Sequence, residues 1–429
     1  MQSNIEMPYG RKTLLAALPR DTGVFSLDIA PTLAMADPAT ALRTALRHPI
    51  GMDEGALKGI HRGERVAIVL SDSFRRTGVA ELLPVLVEEV LRRGVREKDI
   101  CFLVATGVHR PPTPEELRSI MGAEIHARYA PQCFAHAADD GDGLLFVGNT
   151  SRRTPVWLNR RLLEADRVIL TGTVVMHYFA GFGGGRKSIV PGLAGEQTIA
   201  ANHSLNLHRT EDQLNPDVQI GRVDGNPVAE DMAEAASFAP VEFIVNTVLN
   251  REGRIAGLFV GDRHAAHEAA CRFAAGMYQV SLPHAADLVI ASAGSANNFV
   301  QSHKALFNAH QAMKPGGKIV FVAPCQEGLG AAGFREWLGL GTREAVIGRL
   351  RRHAEINGQT ALSTLEKAPN TVMVTDMDEA AVRLTGARKA PSLQTAVDLC
   401  LAELAQAGVR EPRVCLMPSA SYTVPVRKQ

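Results

Sequence analysis

Arg65-Val-Ala-Ile-Val-Leu70-Ser-Asp72-Ser73 and Ile100-Cys-Phe-Leu-Val-Ala105-Thr-Gly-Val-His109 decide the fold of this chain. Each is a short unbroken apolar run that stops at small polar residues, the pattern of a strand buried on both faces. Between them Val79 to Arg93 carries apolar residues at helical spacing and is closed by Gly94. Strand, helix and strand in succession make one βα unit and the start of the next. Thr113-Pro-Glu-Glu116 then has the form of a helix start, with a capping threonine and a proline in the first turn. Arg167-Val-Ile-Leu170 is a third strand. In parallel α/β sheets, ligands bind at the loops after the carboxyl ends of strands. Here those loops carry Asp72 and Arg75, then His109, then His177 and Lys187.

The same grammar restarts near Met277. Asp287-Leu-Val-Ile-Ala291 is a strand, Asn298 to Met313 a helix ended by Lys314-Pro-Gly-Gly, and Lys318 to Ala323 another strand. Helical segments near Arg343 to Ile356 and Leu393 to Ala407, with short strands at Thr371 to Thr375 and Arg413 to Met417, complete this block. The expected fold is α/β, with two α/β domains, mainly parallel sheets and the active site in the cleft between them. The boundary is expected near Ala275, giving a cofactor-binding and catalytic domain over 1–275 and a C-terminal domain over 276–429 that contributes substrate contacts. No internal repeat or coiled-coil heptad is present.

Composition narrows the partner. A chain of 429 residues with 46% hydrophobic content can bury sizeable cores. Lys+Arg 46 against Asp+Glu 45 provides no basic field for nucleic acid or an anionic membrane, so a small molecule is expected. No apolar run is long enough to cross a bilayer, and the first twenty residues lack a signal-peptide core, which points to the cytoplasm. The six cysteines have no CxxC or zinc-type spacing and read as reduced packing residues. Cys325, in Ala323-Pro-Cys-Gln-Glu-Gly328 after a strand, reads first as a small core residue.

Most of the chemistry is concentrated in His177-Tyr-Phe-Ala-Gly-Phe-Gly-Gly-Gly-Arg186-Lys187-Ser-Ile-Val-Pro-Gly192, followed by Asn202-His203. Its glycines let backbone approach a ligand closely, and Gly184, Gly185 and Arg186 can form a nest for a phosphate. The GxxxxGK[ST] frame of a nucleoside triphosphatase is not met. Taken singly, His109, His177 and His203 could each be a structural imidazole, because no HExxH or His-x-His spacing marks a zinc site. Arg75 is either a solvated surface cation or a bidentate clamp for a carboxylate. The remaining histidines read as structural.

Together these motifs resemble the nickel-dependent lactate racemase family. The resemblance rests on Ser-Asp72-x-x-Arg75, Thr106-Gly-x-His109-Arg-Pro, the stretch from His177 to Gly192 and Asn202-His203. It extends through Gly225-Asn-Pro-Val228, Asn246-Thr-Val-Leu-Asn250, Gln301-x-x-Lys304, Cys325-Gln-Glu-Gly328 and Met417-Pro-Ser-Ala-Ser-Tyr-Thr-Val-Pro425. The resemblance implies a nickel-pincer nucleotide of the pyridinium-3,5-bisthiocarboxylic acid mononucleotide type, supplied by cofactor-maturation proteins. It makes His203 the protein ligand to nickel and Lys187 the lysine that can join the cofactor through a thioamide. His109 and His177 map onto the acid/base pair on either face of the substrate carbon. Arg75, Gln301 and Lys304 map onto contacts to the substrate carboxylate and its surroundings, and Asp72 onto an acidic partner in the cofactor pocket. The implied reaction inverts C2 of a 2-hydroxy acid through hydride removal and return, which avoids a carbanion beside a carboxylate.

One departure bears on the substrate. Where the family has a tyrosine before Gln-x-x-Lys this chain has Val300, and the preceding loop reads Gly294-Ser-Ala-Asn-Asn298. With Ser302 and His303 adding hydrogen-bonding capacity, the expected substrate is a sugar acid or a larger or dicarboxylic hydroxy acid, and not lactate itself. Three alternatives stay open: a lactate racemase proper, a non-catalytic nickel-nucleotide binder, and a nicotinamide-linked dehydrogenase. The last lacks a G-x-G-x-x-G that opens a helix after a strand.

Overall fold

The computed structural model describes residues 3–427 apart from 21, 331, 353 and 354. Its contacts divide the chain into two compact units. The first comprises Pro31–Asn206 and Leu214–Gly276, and the second the residues up to Ala30, Leu207–Gln213 and those from Met277 onward.

The first unit is built on a six-stranded sheet in the order Ile255–Gly261, Val241–Leu249, Arg167–Thr173, Val66–Ser71, Ile100–Ala105, Cys133–Ala135. All neighbours are parallel except the Val241–Leu249/Ile255–Gly261 pair at one edge. The chain runs outward from Val66–Ser71 to Cys133–Ala135, then returns to the other side of Val66–Ser71 with Arg167–Thr173. Strand order therefore reverses between those two strands, and ligands of open α/β sheets bind at the carboxyl ends of such a pair.

Helix Leu83–Arg92 presses Leu83, Val85, Leu86, Val87 and Val90 into the same core as Ile68, Leu70, Phe102, Ile169 and Phe243. Each such side chain, fully buried, is worth about 1.5–3 kcal/mol of transfer free energy. The helical run read from Val79 is a 3₁₀ turn, Val79–Glu81, followed by this helix, whose proline sits in the first turn where no N–H is needed. Helix Pro114–Met121 begins with the expected capping box between Thr113 and Glu116.

The second unit has a six-stranded, wholly parallel sheet in the order Arg388–Lys389, Thr371–Val374, Met313–Val322, Ala286–Ser292, Arg413–Met417, Gly23–Ser26. Its order reverses between Ala286–Ser292 and Arg413–Met417. The mainly parallel α/β architecture expected of both halves is therefore what the structure contains.

Beyond the break at Gly276, two earlier segments belong to the second unit. Strand Gly23–Ser26 extends its sheet beside Arg413–Met417. The hairpin Ser3–Tyr9/Lys12–Leu18 lays Ile5, Met7 and Leu18 with Val397 and Leu404 of helix Leu393–Gln406 over Leu288, Val320 and Val372. In Leu207–Gln213, Asp212 pairs with Arg351 at 2.9 Å. The helix read over Arg343 to Ile356 spans Arg343–Arg352, and a second helix that the sequence reading did not include, Ile356–Lys367, follows it. Among the described residues no helix is long and apolar enough to cross a membrane.

Candidate active site

The polar loops of the first unit follow the carboxyl ends of three neighbouring strands, Arg167–Thr173, Val66–Ser71 and Ile100–Ala105. Asp72 follows strand Val66–Ser71 and is buried, and its Oδ2 lies 2.6 Å from Nδ1 of His109, which follows Ile100–Ala105. A carboxylate only accepts, so Nδ1 carries the proton and donates, which in the neutral ring leaves the lone pair on the outer Nε2. The His109 side chain is 42% exposed and that of Asp72 4%. An accessible base is thus held by a buried acceptor. Phe74 meets the imidazole edge-on at 4.8 Å between centroids.

The third loop packs on the same edge. Gly107 N donates to Gly192 O at 3.0 Å, joining the His109 loop to the end of the glycine-rich segment. That segment is fixed mainly by buried polar contacts. Gly185 N donates to Asn246 Oδ1 at 2.9 Å, and His267 Nε2 to Gly183 O at 2.9 Å. Arg186 is buried and spends its guanidinium on the carbonyls of Ala229 and Ala180 at 3.1 and 3.0 Å, with His267 beside Nη1 at 3.3 Å. Gly184 and Gly185 adopt φ of 73° and 50°. A Cβ there would lie 2.5 Å from Asn246 Oδ1 and 2.8 Å from the His267 ring respectively. Close packing of the loop on its own unit thus demands glycine at both positions.

His177 and Lys187 come together: Nζ lies 3.4 Å from Nε2. The Phe179 and Ala180 amides both donate to His177 Nδ1 at 3.4 Å, so Nε2 is the nitrogen turned toward the lysine. The Phe179 ring is the common neighbour, 4.4 Å from the His177 ring, 4.8 Å from the His203 ring and 5.0 Å from Lys187 Nζ.

His203 lies on helix Glu196–Ser204 and is 1% exposed. Its Nδ1 donates to Ile199 O, one turn back, at 2.8 Å. Its Nε2 is buried with no hydrogen-bond partner. Burial first, and the Lys187 charge second, push its pKa down to about 3, so the ring is neutral with a bare lone pair on Nε2. A neutral imidazole whose other nitrogen is tied to a backbone carbonyl is the form that ligates a transition metal. Among the described residues no cluster of three or more His, Cys, Asp or Glu could hold a metal. A metal here would have one protein ligand and take its other donors from a cofactor. The residues present fit a metal-carrying nucleotide.

Arg75 is exposed at the carboxyl end of the first strand, its amide bonded to Asp72 O at 3.1 Å. Gln301 and Lys304 belong to the second unit, one turn apart at the start of helix Phe299–Ala312, directly after its strand-order reversal. Asn298 caps that helix by accepting from Gln301 N at 3.0 Å. Ser302 and His303 differ from expectation: both are buried, and Ser302 Oγ donates to Phe299 O within its own helix. Val300 packs toward Gly330, where an added Cβ would be 3.4 Å from its Cγ2. Cys325 is a buried thiol raised to about 11 by burial, 3.6 Å from Ser302 Oγ. That agrees with its reading as a core residue, although its φ of 49° is unusual for a side chain with a Cβ.

Four residues that support the site have no role assigned from sequence, although Asn226 and Asn246 lie in motifs quoted above. Asn246 and His267 hold the glycine loop. Asn226 caps helix Pro227–Ala236 and donates to Phe179 O at 3.0 Å. Asp231 holds Asn202 at 2.9 Å. A polar residue inside an otherwise apolar strand, as in Ile244-Val-Asn-Thr-Val248, was the available signal for Asn246.

A family model described as the lactate racemase N-terminal domain matches residues 9–215. The lactate racemase of Thermoanaerobacterium thermosaccharolyticum is 31% identical over 341 residues, 78% of each chain. That of Lactiplantibacillus plantarum is 31% identical over 335 residues, 77% of each. The structure of the lactate racemase apoprotein from T. thermosaccharolyticum superposes with a TM-score of 0.86 at 27% identity over all of both chains. A protein from Thermotoga maritima, at 18% identity and a TM-score of 0.65 over 87% of this chain and 96% of its own, shares the fold. At this identity and coverage the chain belongs to the lactate racemase family and is an isomerase of the racemase class.

Proposed function

We propose that this enzyme inverts C2 of a 2-hydroxy acid by reversible hydride transfer, using a nickel-pincer nucleotide bound at Lys187 and His203. The observation that carries this reading is the His203 imidazole, with Nδ1 committed to Ile199 O and Nε2 buried with no partner. When bound, the cofactor supplies a pyridinium carbon able to accept and return hydride. His109 Nε2 takes the hydroxyl proton of one enantiomer, with Asp72 holding the ring in the tautomer that leaves this nitrogen basic. His177 serves the other enantiomer. Arg75 takes the substrate carboxylate, and Lys187 would hold the nucleotide. Gly184 and Gly185 bring backbone close to the phosphate, while the buried Arg186 lends charge and keeps the loop in place.

The substrate is a 2-hydroxy acid other than lactate, a sugar acid or a dicarboxylic hydroxy acid. Val300 supports this, since it presents an aliphatic group where the family pattern has a phenol. All six cysteines are free thiols, in keeping with a reducing cytoplasmic setting in which maturation proteins load the cofactor. The Asp72–His109 pair disfavours a mere carrier, which needs a metal ligand but no oriented base.

The test is co-expression with the nickel-pincer biosynthetic proteins, followed by intact mass, metal analysis and a panel of 2-hydroxy acids. Nucleotide and nickel are both expected, with nickel lost in His203→Ala and turnover lost, nickel retained, in His109→Ala and His177→Ala. A chain that binds neither overturns the reading, and lactate turning over fastest overturns the substrate class.

A further inference from the structure

Asp231 lies in the middle of helix Pro227–Ala236 and is completely buried. Its Oδ1 accepts from Thr150 Oγ1 at 2.5 Å, and its Oδ2 from Thr154 Oγ1 at 2.8 Å and Asn202 Nδ2 at 2.9 Å. All three donors are uncharged. A carboxylate withdrawn from water and held by neutral donors is costly, and it is kept where its geometry is needed.

Asn202 precedes His203, and its Nδ2 also donates to Val228 O at 3.0 Å. The His203 ring is tied through Nδ1 to Ile199 O of its own helix, so Nε2 points wherever that helix points. Helix Glu196–Ser204 has no side-chain cap at its start, and Gly195 occupies that place. At its amino end it is tied by Thr198 Oγ1, which donates to Pro155 O at 2.7 Å. At its carboxyl end the clamp beside His203 is Asn202 on Asp231.

We infer that Asp231 is a positioning residue for the metal site, acting through Asn202 to aim His203 Nε2. This rests on the cofactor reading above. Removing a group behind a metal ligand typically lowers metal affinity about 10–100-fold.

The experiment loads wild type, Asp231→Asn, Asn202→Ala and Thr198→Val by co-expression with the biosynthetic proteins. It reads the nickel-to-nucleotide ratio after dialysis, the absorption spectrum of the bound nickel and the melting temperature. Asp231→Asn and Asn202→Ala are expected to keep the nucleotide while the nickel ratio falls about tenfold and the spectrum shifts. Thr198→Val is expected to lose comparable stability yet retain nickel and spectrum, which separates aiming from general support. Asn202→Ala leaves the carboxylate with both threonines, so it carries the test if Asp231→Asn does not fold. A loaded wild type with equally loaded, spectrally identical Asp231→Asn or Asn202→Ala overturns the inference alone. A wild type carrying neither nickel nor nucleotide overturns the cofactor reading and this one with it.

Discussion

Asp72→Asn separates two roles for this carboxylate, one toward the nucleotide and one toward His109. The Asp72–His109 contact is 2.6 Å, and the acceptor is almost fully withdrawn from solvent. A hydrogen bond to a charged group contributes about 1.5–3 kcal/mol. The half-exposed imidazole places this one toward the lower end, about 1.5–2 kcal/mol. At about 1.4 kcal/mol per decade that is a loss of roughly 10–30-fold in kcat. The effect belongs in kcat because the aspartate acts on the base and not on substrate binding, so KM should hold. Rates are to be normalised to nickel content, with the nucleotide counted by intact mass. Retained nucleotide with kcat within threefold of wild type would refute the orienting role. Unchanged kcat per loaded molecule with nucleotide lost would assign Asp72 to cofactor binding instead.

Two further outcomes follow from the packing of this unit. Gly181 has φ of 71°, and an added Cβ would run into the Arg222 carbonyl, so Gly181→Ala should cost about 2–5 kcal/mol in chemical denaturation. Gly276 lies in helix Ala265–Tyr278 with open space around its missing side chain, and Gly276→Ala should gain about 0.5–1 kcal/mol. Equal effects at the two sites would contradict the packing described. Burial and then Arg186 hold His267 down to about 3, below its ordinary 6.5, so between those values the unfolded chain binds a proton that the folded chain does not. The stability this ring contributes is present above about pH 6.5 and drains away as the pH falls toward 3. His267→Gln should therefore lose less melting temperature than wild type between pH 7 and 5, and parallel curves would show that the folded chain protonates the ring after all.

Most of the sheet framework was legible because buried parallel strands announce themselves. Val66–Ser71 and Ile100–Ala105 are continuous apolar runs, and the residues just after them are the candidate site residues. What sequence did not reveal depends on partners distant in the chain. Gly-Val-Phe-Ser at 23–26 becomes a strand because Arg413–Met417 leaves an edge for it. Ile356–Lys367 is rich in glycine, threonine, serine and asparagine, poor helix formers, yet it is helical where Gly358 lets the chain press on Trp337. His203 was legible as a candidate from its motif, but its neutral state and its unpartnered Nε2 come from burial, which spacing does not encode. Ser302 and His303 look like ligand contacts in a motif that begins at Gln301, and helical periodicity turns them inward instead.

The unpartnered polar atoms of the first unit make a separate case for the site. Native interiors leave few buried donors or acceptors without a partner, because each costs about 1–3 kcal/mol. In this unit such atoms are Asp72 Oδ1, Asn202 Oδ1, His203 Nε2, Asn246 Nδ2 and Tyr129 Oη. Except for Tyr129, each belongs to a residue whose other polar atom is already bonded: Asp72 to His109, Asn202 to Asp231, His203 to Ile199 O and Asn246 to Gly185 N. One end of each group is spent on fixing its orientation and the other end is left to meet something else. Asp72 pairs with the His109 candidate, Asn202 and His203 are neighbours on one helix, and Asn246 holds the glycine-rich loop that carries Lys187. A pocket whose polar groups are oriented beforehand loses little conformational freedom when its ligand arrives, so the binding energy goes into holding the reacting atoms.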